Sequence, residues 1–301
     1  MKKSLILFSL LFLFSCKGMF QKEQFEITYV FENEENVSKI EKKQTAEVIQ
    51  KRLSKFTDQV EVKSNSKNEI VVTLNSGFEI ERLNSIVENQ GKLDFWPCLS
   101  SKEIYYFILD VDEVLETNTI AEPFSSLVLP SSYGDVLVSV NDTLRVRQLL
   151  NDEKVKTIFK SEYKDLNFLF GQPLEEQVVL YGVTSNETGR SIINETSIIE
   201  ARQDYDQINR PAVSIVMDEF GSHIWNTMTN DAYLNNTKIA ITINDIVYSA
   251  PTVSSGPISG GRSQISGSFS LEEAQNLSYI FSSQRRIPKL KFAHLKKIEN
   301  Q

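Results

Sequence analysis

The chain has 301 residues, enough for two domains of ordinary size and for a sizeable hydrophobic core. Its 40 acidic residues outnumber its 32 basic ones and give a formal net charge of -8 at pH 7. This balance argues against binding to nucleic acid or to an anionic bilayer through general electrostatics.

The N-terminus has the pattern of an export signal. Lys2 and Lys3 precede a ten-residue apolar run from Leu5 to Phe14. This run is half of the ~20 residues that a membrane-spanning helix needs, so it fits a signal peptide and not a transmembrane helix. We therefore expect residues 1–15 to be a signal peptide.

The residues after the apolar run resemble a lipobox. The string LFSC ends at Cys16, and in such a motif a lipoprotein signal peptidase cuts before a cysteine that has received a diacylglycerol. We expect Cys16 to be the lipidation site, residues 16–24 to form a lipidated tether, and the lipid chains to anchor the protein. An ordinary signal peptide with an incidental cysteine is the alternative. With Cys16 acylated, Cys98 has no disulfide partner and is predicted to be a small core residue.

Residues 25–97 predict a ferredoxin-like domain. Four segments have the period of strands, two are spaced as amphipathic helices, and a polar turn separates the second strand from the third. The resulting order is βαββαβ, in which two helices cover one face of a four-stranded antiparallel sheet, and Pro97 ends it. The strands are predicted at Phe25–Phe31, Val60–Lys63, Ile70–Leu74 and Leu93–Trp96, and the helices around Ala46–Phe56 and Ile80–Val87.

Residues 98–176 predict a connecting or inserted segment, which is the least patterned part of the chain. Helical spacing is present at Thr143–Leu150 and Lys154–Phe159, and the run Phe168–Gly171 ends in a turn. Ile104–Leu109 is a short apolar run to which we assign no structure.

Residues 177–292 predict a second α+β domain with an antiparallel sheet. Val178–Gly182 is expected to begin it. The alternation over Val213–Met217 predicts a strand, and Asp218 follows as the N-cap of an amphipathic helix. The predicted fold class of the whole chain is therefore α+β.

The rest of this domain predicts a hairpin followed by a helix. Ile239–Ile243 is predicted to be a strand that Asn244-Asp245 folds back through a tight turn. Ser270 and Glu273 fit a capping box that opens the last helix. After that helix, residues 293–301 show no periodicity and are predicted to be a tail.

The stretch from Arg210 to Phe281 contains an ordered set of motifs: RPAVS, D-x-x-G, a hairpin ending in SAP, PISGG-x-x-QISG-x-F and EEAQNL. This order resembles the head of the first periplasmic domain of SecD, the proton-driven accessory subunit of the bacterial Sec protein-export channel. The resemblance implies structural or partner-contact roles for the motif positions Arg210, Pro211, Gly221, Ala250, Pro251, Gly260, Gly261 and Gly267.

The N-terminal half resembles the base of the same SecD domain, which is ferredoxin-like. The matching segments are Val48–Leu53, Glu69–Leu74 and Gly91–Trp96, and Gly91 is expected in the turn after the second helix. Asn209 stands where SecD usually has a glycine before Arg-Pro. SecD couples export to the proton gradient through charged residues in its membrane helices, whereas this sequence has no apolar run of spanning length. The resemblance thus implies a stand-alone lipoprotein form without its own proton coupling.

One loop has the spacing of a nucleotide-binding motif. Gly256–Ser263, GPISGGRS, fits a phosphate-binding P-loop with Arg262 in place of the lysine. That mechanism requires a helix to begin at the loop, whereas Ser263–Gly267 predicts a strand. We therefore favour glycines that permit positive φ in a tight loop.

No catalytic, cofactor or metal site is predicted. The two histidines, His223 on a predicted helix and His294 in the predicted tail, belong to no nucleophile motif. No Cys/His spacing matches a metal-ligand set. We expect the protein not to be an enzyme.

The resemblance implies an envelope lipoprotein that assists protein export by binding extended polypeptide at the periplasmic side, for which strand addition to a sheet edge is a reasonable route. The implied partners are unfolded or exported polypeptides, components of the Sec translocon, and the membrane through the lipid anchor. The alternative is a non-catalytic scaffold that docks to the translocon or to another envelope complex. Lys17 is not the aspartate that retains lipoproteins at the inner membrane, so the outer membrane is favoured over the inner one.

Overall fold

The structure, a computed structural model, describes residues 23–75, 77, 79–116, 123–131, 135–161, 163 and 165–298. The predicted signal peptide, Cys16 and most of the predicted tether lie outside these ranges. Within them, no helix is both long and apolar enough to cross a bilayer.

The strands in the described ranges are, in chain order, β1 Gln24–Phe31, β2 Val60–Ser64, β3 Ile70–Asn75, β4 Leu93–Pro97, β5 Val128–Pro130, β6 Val136–Ser139, β7 Leu166–Phe170, β8 Gln177–Thr184, β9 Ile193–Asn194, β10 Ile198–Tyr205, β11 Pro211–Met217, β12 Ile239–Ile243, β13 Ile246–Ser249, β14 Arg262–Ser266 and β15 Leu290–Ile298. The α-helices are α1 Lys39–Phe56, α2 Ile80–Val87, α3 Ser101–Glu116, α4 Thr143–Leu150, α5 Glu153–Ser161, α6 Glu219–Asn235 and α7 Leu271–Phe281.

The base of the molecule is a four-stranded antiparallel sheet in the order β15-β1-β3-β2. Apolar residues alternate along β1 and β3 because one face of the sheet is buried: Ile27, Tyr29 and Val72 are fully buried on that face. They belong to one apolar cluster with Ile49 and Leu53 of α1, so the helices cover this side of the sheet. The predicted order of strand, helix, two strands and helix is therefore present over residues 24–87.

The closing strand of this sheet is not the one that the sequence predicts. The segment predicted at Leu93–Trp96 is β4, which pairs with β12 in another sheet, and β15 lies beside β1 from Gln24↔Ile298 to Phe31↔Leu290. The predicted tail is wrong for residues 293–298, and the predicted base boundary at Pro97 is wrong as well. β15 lacks apolar alternation because it is an edge strand whose side chains are almost all exposed. Both ends of the described chain thus build the base.

The described parts of residues 98–176 belong to a folded unit, which β8 completes, and are not a bare connection. The sheet has the order β5-β6-β8-β7, and a separate core that includes Phe107, Val138 and Leu180 packs α3, α4 and α5 against it. Helices α4 and α5 occur where the spacing predicts them. The predicted turn at Phe168–Gly171 is largely the end of β7, and Val178–Gly182 lies within β8, an interior strand of this sheet.

The head contains two antiparallel sheets, β10-β11-β14 and β13-β12-β4-β9, together with α6 and α7. Asn244 and Asp245 join β12 to β13 with φ values of 51° and 68°, which a two-residue hairpin turn of this kind requires. Ser270 and Glu273 form the predicted capping box at the start of α7. The predicted α+β class with antiparallel sheets is confirmed.

One buried cation ties the base to the head. Arg52 of α1 is fully buried, and burial lowers its pKa to about 9, so the guanidinium is still charged at neutral pH. Residues 88–92 lead from α2 into the head, and residues 282–289 lead back from α7 to β15. The guanidinium donates hydrogen bonds of 2.5 to 3.4 Å at both crossings, to the carbonyls of Ile86, Asn89, Gln90 and Arg285 and to the hydroxyl of Ser283.

Gly91 makes room for this arginine. Its φ of 74° lies in the left-handed region, in the turn that follows α2 as predicted. A Cβ at this position would lie 2.3 Å from Nη2 of Arg52 and 3.0 Å from Cγ2 of Ile280. A side chain at position 91 would therefore displace either Arg52 or α7.

We predict that Arg52→Met lowers the free energy of unfolding by about 3 kcal/mol, because buried carbonyls at both crossings lose their donor. Urea unfolding followed by circular dichroism measures the change. Lys51→Met alters an exposed neighbour on the same helix and serves as the control, with an expected change within ~0.5 kcal/mol. Equal stability of the two variants would contradict the role of Arg52.

Candidate functional site

The Arg-Pro motif closes the hairpin between β10 and β11. The Asp206 carboxylate accepts hydrogen bonds from the backbone N–H and from Nε of Arg210, both at 2.8 Å. Asn209 has a φ of 62°, a conformation that asparagine and glycine both tolerate, which explains asparagine where SecD usually has glycine. Pro211 is the first residue of β11, opposite Tyr205, where proline is tolerated. The contacts of Arg210 and Pro211 thus support a structural role.

Two motif glycines permit close approach at the start of α6. A Cβ on Gly221 would lie 2.9 Å from Cβ of Ser197, and a Cβ on Gly261 would lie 2.8 Å from Cβ of Ser222. Gly260 and Gly261 have φ values of 81° and 63°, so the bend between them needs the left-handed region. Gly261 thus lets the loop before β14 approach the first turn of α6, and Gly221 lets that turn approach Ser197.

The remaining motif positions also contact their own fold. Ala250 packs at the edge of a small apolar cluster that includes Ala240 of β12. The carbonyl of Pro251 accepts a hydrogen bond from the N–H of Ile239 at 3.1 Å. A Cβ on Gly267 would lie 3.2 Å from the ring of Phe269. These contacts fix the hairpin and the strand that follows it.

The loop Gly256–Ser263 does not have the geometry of a P-loop. Strand β14 follows it, as the sequence predicts, and no helix begins there. The helix end that it does approach, at α6, is already capped by the Asp218 carboxylate, which accepts from the N–H of Gly221, and Glu219 is adjacent. Negative charge at this position opposes the binding of a phosphate.

The candidate reactive groups are placed as follows. Cys98 is buried, as predicted, and burial raises its pKa to about 12, so the thiol stays protonated at neutral pH. His223 is exposed on α6, and His294 is exposed on β15. In the described part of the chain, no group of three or more His, Cys, Asp and Glu side chains could hold a metal ion.

Two buried carboxylates lie where the head meets the base. Glu195 accepts from Nε of Arg286 at 2.6 Å, and Asp94 on β4 accepts from the hydroxyl of Ser191. In the described ranges, their second oxygens are buried without a hydrogen-bond partner, and Nζ of Lys92 lies 3.9 Å from Oδ2 of Asp94. Burial raises the pKa of Asp94 above its ordinary value, although Ser191, Lys92 and Arg286 oppose the shift.

A groove of about 1200 Å³ lies between α1 and the edge strand β2. One wall is a stripe of α1 whose members are three or four residues apart and share one helix face. The other wall is β2 with the polar turn that follows it. The stripe consists of Ile40, Lys43, Glu47 and Gln50.

Gln50 completes the outer edge of β2. Its Oε1 accepts a hydrogen bond from the N–H of Val62 at 2.8 Å, and its Nε2 donates to the carbonyl of Val60 at 3.2 Å. A side-chain amide thus occupies positions that a neighbouring strand would fill. Sequence reasoning missed this residue, because the only signal was its helical spacing from Ile40, Lys43 and Glu47.

The opposite edge of the base sheet is protected differently. β15 and the residue before it place four lysines along that edge, and Glu32 pairs with Lys289 at 2.9 Å and with Lys291 at 2.6 Å. Lysines on an edge strand disfavour pairing with another strand. Of the two edges of this sheet, β2 is therefore the one better suited to accept a strand. The four lysines are Lys289, Lys291, Lys296 and Lys297.

Residues 176–284 match the family described as SecDF, P1 head subdomain. The protein translocase subunit SecD of Rhodothermus marinus is 32% identical over 164 residues, which cover 54% of this chain and 26% of that protein. The SecD subunit of Calditerrivibrio nitroreducens is 46% identical over 74 residues, or 25% of this chain and 14% of that protein. The chain thus matches about a quarter or less of the length of these relatives.

Two solved structures share the fold. The crystal structure of SecDF in a super-membrane-facing form has a TM-score of 0.56 at 16% identity, and the match covers 92% of this chain and 30% of that one. A structure described as a membrane component SecDF that enhances protein export has a TM-score of 0.53 at 17% identity, covering 91% of this chain and 100% of that one. The resemblance noted in the sequence is confirmed at the level of the SecD periplasmic domain.

We predict that Asp94→Asn stabilises the protein at pH 8 by on the order of 1 kcal/mol and that the gain shrinks toward pH 4. The folded-state pKa is raised, so the ionised carboxyl destabilises the fold above that pKa and ceases to do so once it is protonated at low pH. Urea unfolding at a series of pH values measures the difference. Asp245→Asn is the control, because it removes an exposed carboxylate that pairs with Lys92, the lysine that also lies near Asp94. A gain for Asp94→Asn that grows as the pH falls would contradict the prediction.

Proposed function

We propose that this chain, a SecD-type periplasmic domain with its head at residues 176–284, is an envelope lipoprotein that assists protein export by binding extended polypeptide. It acts at the periplasmic side and without proton coupling of its own. The translocase names of its relatives and the described role of one structural neighbour in enhancing protein export support this proposal. No enzymatic step is part of the proposed role.

The single observation that carries polypeptide binding is the edge of β2. An unpaired strand edge presents N–H and C=O groups to any chain that can lie beside it, irrespective of the sequence of that chain. Here a side-chain amide satisfies Val60 and Val62, and a groove with room for more atoms runs beside them. Main-chain pairing of this kind suits clients that are still unfolded.

Membrane attachment in this proposal runs through Cys16. β1 begins at Gln24, so a short tether would place the base close to the lipid anchor. Two or three acyl chains, at ~0.8 kcal/mol for each buried methylene, make such attachment effectively permanent. Lys17 favours the outer membrane over the inner one, and components of the Sec translocon are the proposed partners.

A scaffold that docks to the translocon or to another envelope complex is the second candidate function. It is favoured by an exposed apolar patch on α3, where Tyr105, Tyr106 and Leu109 are 54%, 51% and 41% exposed. Patches of this kind mark protein contacts more often than isolated exposed residues do. A scaffold would co-purify with a defined folded partner from solubilised envelopes and, unlike a client-binding protein, would not bind an unfolded polypeptide by itself.

We predict that residues 18–301, which include every described residue, bind reduced, carboxymethylated α-lactalbumin at least about tenfold more tightly than native α-lactalbumin, a difference of ~1.4 kcal/mol. The unfolded client offers continuous backbone for pairing, and the native one does not. Isothermal titration calorimetry measures both affinities. Equal affinities, or no binding of the unfolded form, would count against the proposed function.

We predict that Cys16→Ser abolishes incorporation of radioactive palmitate and leaves residues 1–15 uncleaved, because the lipoprotein signal peptidase cuts only before a lipidated cysteine; metabolic labelling and the mass of the protein on a gel measure both effects. The physical reason is that the thiol is the attachment point of the lipid. Lys17→Asp keeps the lipid and serves as a matched variant, expected to shift the protein toward the inner membrane in a density gradient. Incorporation of palmitate into Cys16→Ser, or removal of residues 1–15 from it, would contradict lipidation at Cys16.

A further inference from the structure

We propose that Gln50 is a displaceable stand-in for a bound strand, and that the groove beside it takes an extended, acidic-flanked polypeptide segment of about five residues. This inference rests on the proposed function and specifies its site and its preferred ligand. It concerns α1 and β2 of the base, which lie outside the residues matched to the head subdomain.

The register of the hairpin shows which backbone groups of β2 point outward. The N–H of Asn65 donates to the carbonyl of Glu69 at 2.9 Å, so the pair 65 and 69 is hydrogen-bonded toward β3. In an antiparallel ladder the bonded pairs alternate, so residues 61 and 63 also bond to β3 and residues 60, 62 and 64 point outward. Gln50 contacts the outward groups of Val60 and Val62, as this register requires.

Gln50 has another partner on its own helix when it leaves the edge. Its Nε2 lies 3.0 Å from the hydroxyl of Ser54, one turn along α1, and the side chain is only partly buried. An incoming strand would therefore replace the two hydrogen bonds to β2 without leaving the glutamine amide unsatisfied. Displacement of the Gln50 side chain therefore costs little free energy, and Gln50 protects the edge of β2 while no client is bound.

The groove has the length of a short strand. From Ile40 to Gln50 the α1 wall is about 15 Å long, which corresponds to about five residues of an extended chain. Ile40 is 70% exposed and offers an apolar contact to alternate side chains of the incoming segment. A segment with apolar residues at every second position fits this wall.

The charges that line the groove favour an acidic ligand. Three lysines, Lys39, Lys43 and Lys63, face one acid, Glu47, although the chain as a whole has a net charge of -8. The pairs of Lys43 with Glu47, at 4.0 Å, and of Lys63 with Glu61, at 2.5 Å, are exposed. Exposed pairs contribute little to stability, so these lysines can exchange their partners for ligand carboxylates.

The test uses residues 18–301 and two fluorescein-labelled peptides. One is Asp-Val-Thr-Val-Thr-Val-Asp, and the other has the same five-residue core with lysine at both ends. Fluorescence anisotropy measures the binding of each. We expect the wild-type protein to prefer the acidic-flanked peptide severalfold, and Lys39→Glu combined with Lys43→Glu to reverse the preference. Equal affinity of the wild type for both peptides would overturn the charge preference.

Position 62 separates backbone pairing from side-chain contact. Proline is tolerated on an edge strand where the N–H points outward, so Val62→Pro removes this donor and leaves the ladder to β3 in place. We expect Val62→Pro to weaken peptide binding about tenfold and Val62→Ala about twofold. Each variant is first checked for an unchanged urea midpoint. Lys63→Pro serves as the comparison, because it removes an N–H that points toward β3 and is therefore expected to lower the urea midpoint.

Removal of the stand-in should have the opposite effect. We expect Gln50→Ala to bind the peptide about threefold more tightly, because the strand no longer competes with the glutamine amide, and the exposed control Lys51→Ala to bind as the wild type does. If Val62→Pro and Gln50→Ala both bind as the wild type does while unfolded α-lactalbumin still binds, this site is wrong and the proposed function stands. If the wild type binds neither peptide nor unfolded client, both are wrong.

Discussion

The position of the head on the base depends on one buried guanidinium. Arg52 contacts the chain at the two places where the chain enters and leaves the head. Position 91 is a glycine because the Arg52 guanidinium fills the space that a side chain would need. A charge in such a site is tolerated only when its donors are satisfied, and here four carbonyls and a hydroxyl accept them. Because both crossings converge on a helix of the base, α7 packs against α1 and α2 and the two parts share a continuous core.

This arrangement leaves the base sheet with two edges of different character. The C-terminal strand β15 closes one side and places lysines along it, whereas β2 remains at the other side under α1. β4 lies in sequence between the two parts of the chain that form the base, but it pairs with β12 in the head. It therefore covers neither edge of the base sheet. The edge that we propose for client binding therefore follows from how the chain divides between base and head.

The motif residues that identify the head serve its construction. Asn209 and Gly260 adopt positive φ in tight turns, and Gly221 and Gly261 let backbone segments approach α6. A resemblance carried by such residues indicates a fold and says little about where a ligand binds. The groove beside β2 has no comparable motif, because backbone pairing places few demands on side chains.

The sequence by itself determined the local elements. The capping box at Ser270, the turn at Asn244-Asp245 and the alternation of β1 and β3 depend on neighbouring residues, so their patterns are legible without a structure. Only the tertiary structure decided which strands pair. Apolar residues at every second position indicate a strand but do not indicate which strand pairs with it. An exposed edge strand such as β15 lacks even this alternation. The burial of Arg52 was decided in the same way, because it depends on a segment distant in sequence that the fold places beside α1. The contact of Gln50 with β2 depends on how the chain turns back after α1, which the helical spacing of Gln50 does not reveal.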